Sequence, residues 1–215
     1  MSESREAFAL KFNALLSDAG LDALDPELFP RFNDYLALLL RWNARISLTA
    51  IRDEGGILSR HFVESIACAR ALPACIKTLL DFGSGAGFPG IPIAICRPEI
   101  AVTLAESQGK KAAFLQEAVR VLGIPAKVYA GRAEALAAQF DCVVLRAVDR
   151  MELAVPASAK LVAPGGWLVL MTTGAELAGL QAAAGATLSW EPAATQPCAG
   201  DRLIAFARRG VSLPA

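Results

Sequence analysis

Histidine is nearly absent from this 215-residue sequence: His61 stands alone, which excludes two-His zinc motifs and His-rich transition-metal sites. Cysteine offers no alternative. The five cysteines, Cys68, Cys75, Cys96, Cys142 and Cys198, are odd in number, scattered and never spaced as Cys-x-x-Cys. Neither a disulfide framework nor a zinc ribbon is indicated, and the five read as small buried hydrophobes. Metal-independent chemistry is expected. A run of about eighteen apolar residues is also missing. Between Met1 and Lys11 stand Glu3, Arg5 and Glu6, where a signal peptide would need an apolar stretch. A soluble cytoplasmic protein without a membrane partner is expected. Finally, charge of one sign is lacking: 21 Lys and Arg balance 21 Asp and Glu. That argues against coating bare nucleic acid through counterion release alone. It leaves room for a local patch, since Arg31, Arg41, Arg45, Arg52 and Arg60 face only Asp34, Asp53 and Glu54 in the segment from Arg31 to His61. Solvated helix faces and an RNA-facing surface both fit that excess.

What is present is apolar: 54% of residues are hydrophobic, enough for one large domain or a domain with a small appendage. The first seventy residues look helical. Asp25 and Pro26 supply an N-cap and a first-turn proline, followed by Leu28, Phe29, Phe32, Tyr35, Leu36, Leu39, Leu40 and Trp42 at helical spacing, with an end expected near Ser47. A second helix is expected from Glu54 to Ala71, stopped by Pro73. From Thr78 onward short apolar runs alternate with helical stretches, the pattern of βαβ units. Strands are expected at Thr78–Phe82, Ala101–Ala105, Ala126–Tyr129, Cys142–Leu145, Trp167–Met171, Ala186–Trp190 and Leu203–Ala207, with helices beginning near Pro89, Gln108, Ala133 and Met151. The stretch Glu191–Asp201 suggests a closing antiparallel hairpin. The expected architecture is a Rossmann-like α/β core over 75–215, a seven-stranded mostly parallel sheet with an antiparallel last strand. A helical extension over 1–74 packs on it to form one unit.

The most informative segment is Asp81-Phe-Gly83-Ser-Gly85-Ala-Gly87-Phe-Pro-Gly90, between an apolar strand and an apolar helix. Glycines there let the backbone turn sharply and approach a ligand, while Asp81 can accept hydrogen bonds from an amino group or steady the loop. About twenty residues further on, Glu106 closes the second strand, placed to take both hydroxyls of a ribose. Dinucleotide sites space their glycines G-x-G-x-x-G to seat a pyrophosphate, whereas this loop reads G-x-G-x-G behind an acid. S-adenosylmethionine, with a cationic amino-acid end, a ribose and no phosphate, suits such a loop.

Four further stretches join it: Arg41-Trp-Asn43-Ala-Arg-Ile-Ser47-Leu-Thr-Ala50, Arg60-His61-Phe-Val-Glu64-Ser65, Glu106-Ser-Gln-Gly109-Lys110-Lys111 and Leu145-Arg146-Ala147-Val148. With them the chain resembles, over nearly its whole length, the glucose-inhibited division protein B family, bacterial methyltransferases acting on guanine N7 of small-subunit ribosomal RNA. The resemblance implies S-adenosylmethionine as cofactor, contacted at Gly83 and Phe88, at Ala133 and Glu134 after the third strand, and at Arg146 after the fourth, beside Asp81, Gly85 and Glu106 of the loop and second strand. It moves Arg60 and His61 toward substrate or loop positioning. Lys110 and Lys111 read equally as a solvated helix start or as contacts to RNA phosphate. Arg146 and His61 are the candidates for positioning the reactants. Three positions depart from the family: Ser47 where asparagine is common, Glu64 where aspartate is, and Glu106 where aspartate is usual. The implied partner is small-subunit ribosomal RNA or an assembling ribosomal particle, met by a monomer.

Guanine N7 already carries a lone pair, so its methylation needs no base, and positioning carries the rate. In keeping with this, the chain lacks the Asp/Asn-Pro-Pro-aromatic motif that amino-group methylases use. Trp42, Phe62 and Phe88 are candidates both for the core and for stacking on an exposed base. The competing readings are a methyltransferase for a small molecule or protein, a nucleotide-binding domain without catalysis, and an NAD-dependent oxidoreductase.

Overall fold

The computed structural model describes residues 2–192 and 201–211. Helix α1 (Ser2–Asp18) precedes the capped start read from the sequence: the Asp25 carboxylate accepts the Glu27 N–H at 3.0 Å and opens a 3-10 turn, Pro26–Leu28. The chain then runs into α2 (Phe29–Asn43), which stops short of Ser47. The reason lies in Asn43. Its side-chain oxygen accepts the N–H groups of Leu48 and Thr49 at 2.9 and 3.1 Å, giving the backbone a local alternative to continuing the helix. The second expected helix is present but not uniform. It begins as α3 (Glu54–Gly56), widens into a π-helical segment over Ile57–Val63 that carries Arg60 and His61, and ends as α4 (Glu64–Ala71). Such widened turns recur at functional sites.

The sheet contains β1 (Thr78–Phe82), β2 (Ala101–Ala105), β3 (Ala126–Tyr129), β4 (Phe140–Arg146), β5 (Val162–Thr173), β6 (Leu188–Trp190) and β7 (Arg202–Arg209), in the spatial order β3-β2-β1-β4-β5-β7-β6. Strands β1 to β5 pair in parallel, and β7 lies antiparallel between β5 and β6. Helices α5 (Gly90–Cys96), α6 (Gly109–Leu122) and α7 (Met151–Ala159) connect the strands near the expected starts. Where a helix is expected near Ala133, the structure has only a 3-10 turn, Ala133–Ala135, because Leu136 already returns to extended backbone just before β4. The sequence reading also passes over α8 (Gly174–Ala184), although Thr173 and Glu176 form the reciprocal capping box that announces it.

Alternate strand residues feed two apolar layers. Leu79, Val102, Leu104, Cys142 and Val144 join Phe12, Phe32, Leu39, Phe62 and Ile66 from the N-terminal helices in one continuous cluster. Leu80, Phe82, Val143 and Leu145 face the other way, onto Val155, Leu180 and Leu188. The N-terminal helices therefore cover one face of the sheet. Cys68 and Cys142 are buried and Cys96 is half-buried. Cys75 corrects the uniform reading, being exposed in the turn before β1, where the backbone runs along the surface. Cys198 lies outside the described residues. Among the described residues no helix is long and apolar enough to cross a membrane.

Candidate active site

Strand order reverses between β1 and β4: the chain winds outward through β2 and β3, then returns to the other side of β1. In open α/β sheets, ligands bind in the crevice beyond the carboxyl ends of the strands at such a point. Two clefts open there, of about 330 Å³ and about 510 Å³. They share Gly83, Gly85, Lys111, Ala147 and Val148.

The smaller cleft is built from strand ends and the turns that follow them. Glu106, the residue after β2, is buried, and its carboxylate is already in use: Oε2 accepts the Gly85 N–H at 2.9 Å and Oε1 the Gln108 N–H at 2.7 Å. One side chain thus clamps the glycine loop to the start of α6, and each oxygen keeps a lone pair for a ligand hydroxyl. Ala133 and Glu134 line the same cleft from the 3-10 turn. Glu134 is exposed and pairs with Arg132 at 2.9 Å. Leu153 lines the cleft with 58% of its surface exposed, an apolar face open to a ligand. At Gly83 the backbone has φ +74°, and a Cβ there would lie 3.1 Å from Val148. A nucleoside with two adjacent hydroxyls fits this set: an acidic clamp, a small apolar platform and a backbone stripped of Cβ.

The larger cleft is walled by charged side chains from distant segments. Arg146 at the end of β4 donates from Nη2 to the Arg60 carbonyl and, at 2.6 Å, to Glu64 Oε2. Arg202 at the start of β7 donates to Glu64 Oε1, and Arg60 Nε lies 3.7 Å from that oxygen. Burial raises the Glu64 carboxyl above its ordinary range, against the pull of Arg146 and Arg60 in the other direction. His61 Nε2 meets Thr49 Oγ1 at 2.7 Å, and its ring stacks on Phe88 with centroids 4.7 Å apart. Burial, helped by Arg146 and Arg60, lowers its pKa to about 3, so the imidazole is neutral at physiological pH.

Asp81 lines neither cleft. It is fully buried, and its Oδ2 accepts the Gly90 N–H at 3.0 Å at the start of α5, steadying the loop from beneath. Gly90 is required there, since a Cβ would lie 2.5 Å from that oxygen. Burial raises the Asp81 pKa to about 7. Of the other expected residues, Phe88, Arg60 and Arg146 line the larger cleft, Lys111 borders both, and Lys110 borders neither. Trp42 is held away from the clefts, donating from Nε1 to Glu117 at 2.8 Å, and Phe62 is wholly buried. The sequence reading assigned no role to Thr49, Leu153 or Arg202. Thr49 had a signal, because it sits in the Arg41–Ala50 stretch. Leu153 and Arg202 had none, being ordinary on their own elements.

The sheet order with its inserted antiparallel strand, the glycine turn after β1 and the acidic residue after β2 define a Rossmann-like S-adenosylmethionine-dependent methyltransferase. An S-adenosylmethionine-dependent O-methyltransferase from Thermotoga maritima shares the fold, with a TM-score of 0.54 and 13% identity over 71% of this chain and 66% of that one. The family described as rRNA small subunit methyltransferase G matches residues 29–195, and the chain belongs to that family. Similar proteins named ribosomal RNA small subunit methyltransferase G occur in Roseiflexus sp., 45% identical over 60% of this chain, and in Stenotrophomonas maltophilia, 45% identical over 73%. The match spans 58% of the Roseiflexus protein and 73% of the Stenotrophomonas protein.

Proposed function

We propose that this chain transfers a methyl group to N7 of a guanine in small-subunit ribosomal RNA, with S-adenosylmethionine as donor. When bound, the donor supplies an electrophilic methyl group on a sulfonium. Glu106, Gly83, Gly85, Ala133 and Glu134 hold its adenosine half in the smaller cleft, with Leu153 against the apolar face of the base. Phe88 and Arg146 contact the donor from the side of the larger cleft, and Asp81 acts through the loop it supports. The acceptor guanine enters the larger cleft, while Arg60 and Lys111 on its rim meet backbone phosphate.

The observation that carries this reading is that neutral His61, stacked on Phe88, shares one cleft with three arginines, and this cleft opens directly onto the smaller one. A neutral imidazole adds no repulsion toward a sulfonium, and it has no proton to remove from N7. The side chains therefore orient and desolvate the reactants, the part that in-line transfer to a lone pair requires. The protein acts as a monomer in the cytoplasm, on small-subunit RNA alone or in an assembling particle.

The test is labelled methyl transfer to small subunits from cells lacking this protein, followed by nucleoside mapping of the RNA. One new 7-methylguanosine is expected. Label on another base, or only on protein or a small molecule, would overturn the assignment.

A further inference from the structure

Glu64 has no place in the reaction as described, yet its carboxylate takes a hydrogen bond from an arginine on each of its two oxygens. It is 4% exposed and faces Arg146 and Arg202 in direct ion pairs, with Arg60 just beyond. The four residues come from the π-helical segment, the start of α4, the end of β4 and the start of β7. Three cations against one carboxylate leave two positive charges unbalanced. Lys111 and Glu176 also line the cleft and add one charge of each sign, and the Glu176 carboxylate is taken up by Thr172 and Thr173. Arg146 stays charged despite its burial, because guanidinium does not release its proton in proteins. Its Nη1 is buried with no hydrogen-bond partner among the described residues. A buried charged donor without an acceptor is costly, and an anion in the cleft supplies what is missing.

We infer that Glu64 is a positioning residue that gathers Arg60, Arg146 and Arg202 into an anion-binding cradle in the larger cleft. Its occupant is either the carboxylate of the donor's amino-acid end or a phosphate of the acceptor strand. A single buried carboxylate suits this task. It fixes the guanidinium planes without neutralising them, so their outer N–H groups remain available for bidentate contacts. The inference rests on the methyl-transfer reading only for the identity of the two anions.

The test uses the full chain and equilibrium binding. Affinities are measured for S-adenosylhomocysteine, for 5′-methylthioadenosine, which lacks the amino-acid end, and for a small-subunit RNA fragment over a range of salt. Glu64→Gln is expected to loosen S-adenosylhomocysteine or the RNA by about tenfold or more, the scale of a lost charged hydrogen bond, while leaving 5′-methylthioadenosine unchanged. Loss on S-adenosylhomocysteine alone assigns the carboxylate. Loss on RNA with a shallower salt dependence assigns the phosphate. If net charge alone mattered, Glu64→Gln would tighten both ligands; that result, or no change in either, overturns the cradle. Arg202→Gln leaves Glu64 its two other partners, so it reads the same cradle even if Glu64→Gln does not fold. Its effect should largely vanish in the Glu64→Gln background, because the two substitutions break one arrangement. Failure to bind either adenosine compound would instead sink the methyl-donor reading.

Discussion

The two clefts are separated by one glycine turn and are built on opposite plans. The smaller draws on strand ends and the turns that follow them, with backbone and small side chains at Gly83, Gly85, Ala105, Gly131 and Ala133 beside the carboxylates of Glu106, Glu134 and Asp149. The larger brings Arg60, His61, Glu64, Phe88, Arg146 and Arg202 together within a lining that runs from Leu48 to Ile204. A nucleoside has one shape and can be met by a fixed backbone, whereas a polyanionic acceptor must be met by charges assembled from several elements. On the proposed reading, the constant ligand is met near strand ends and the specific one by side chains from distant segments.

The sharpest break between the two plans should come from Phe88→Ala. Phe88 is buried against Tyr35, Phe62 and His61, so its removal should cost about 3–5 kcal/mol in denaturant unfolding. Folded protein at low temperature should keep its affinity for adenosine and lose acceptor turnover. Glu106→Ala should do the reverse. It frees the N–H groups of Gly85 and Gln108, and adenosine affinity by calorimetry should fall by roughly 1.5–3 kcal/mol, with RNA binding unchanged.

The pH dependence sharpens the contrast further, because burial shifts Asp81, beneath the glycine loop, and His61, in the larger cleft, in opposite directions. The Asp81 pKa is raised to about 7, so the native state holds its proton more tightly, and its contribution to stability is lost as pH rises from about 4 toward 7. The His61 pKa is lowered to about 3, so the unfolded chain binds that proton more tightly, and stability is lost as pH falls from about 6.5 toward 3. Between pH 4 and 6.5 the two slopes, each at most about 1.4 kcal/mol per pH unit, oppose one another. Thermal melts of Asp81→Asn should therefore show stability rising with pH across that window, and His61→Gln should show it falling. Parallel curves for the two variants would disprove the opposition.

The smallest effect is expected at Tyr35→Phe. The Tyr35 hydroxyl donates to the Ala86 carbonyl at 2.6 Å from behind the loop. Losing that bond should cost about 1 kcal/mol and lower Tm by roughly 2–4 °C, with acceptor turnover affected more than adenosine binding.

Much of the smaller cleft was legible before the structure, because its determinants are local. A short apolar strand, a glycine where φ is positive and an acid at the next strand end are each set by neighbours along the chain. The helix missed at Gly174–Ala184 was legible as well, since Thr173 and Glu176 carry its capping box. The larger cleft was only partly legible. Arg60, His61 and Arg146 stood out through the family resemblance, but nothing near Glu64 in sequence reveals that Arg202 will meet it, 138 positions away.

The sequence by itself determined the order of the seven strands, the glycine loop and the acid that follows the second strand, because backbone geometry and apolar patterning act over a few residues. Only the tertiary structure decided which charges share a cleft, that Asp81 supports the loop from beneath while Glu106 lines the smaller cleft, and that His61 is neutral. Burial and the approach of Arg146 and Arg60 are products of packing, and they shift a charge by acting through space.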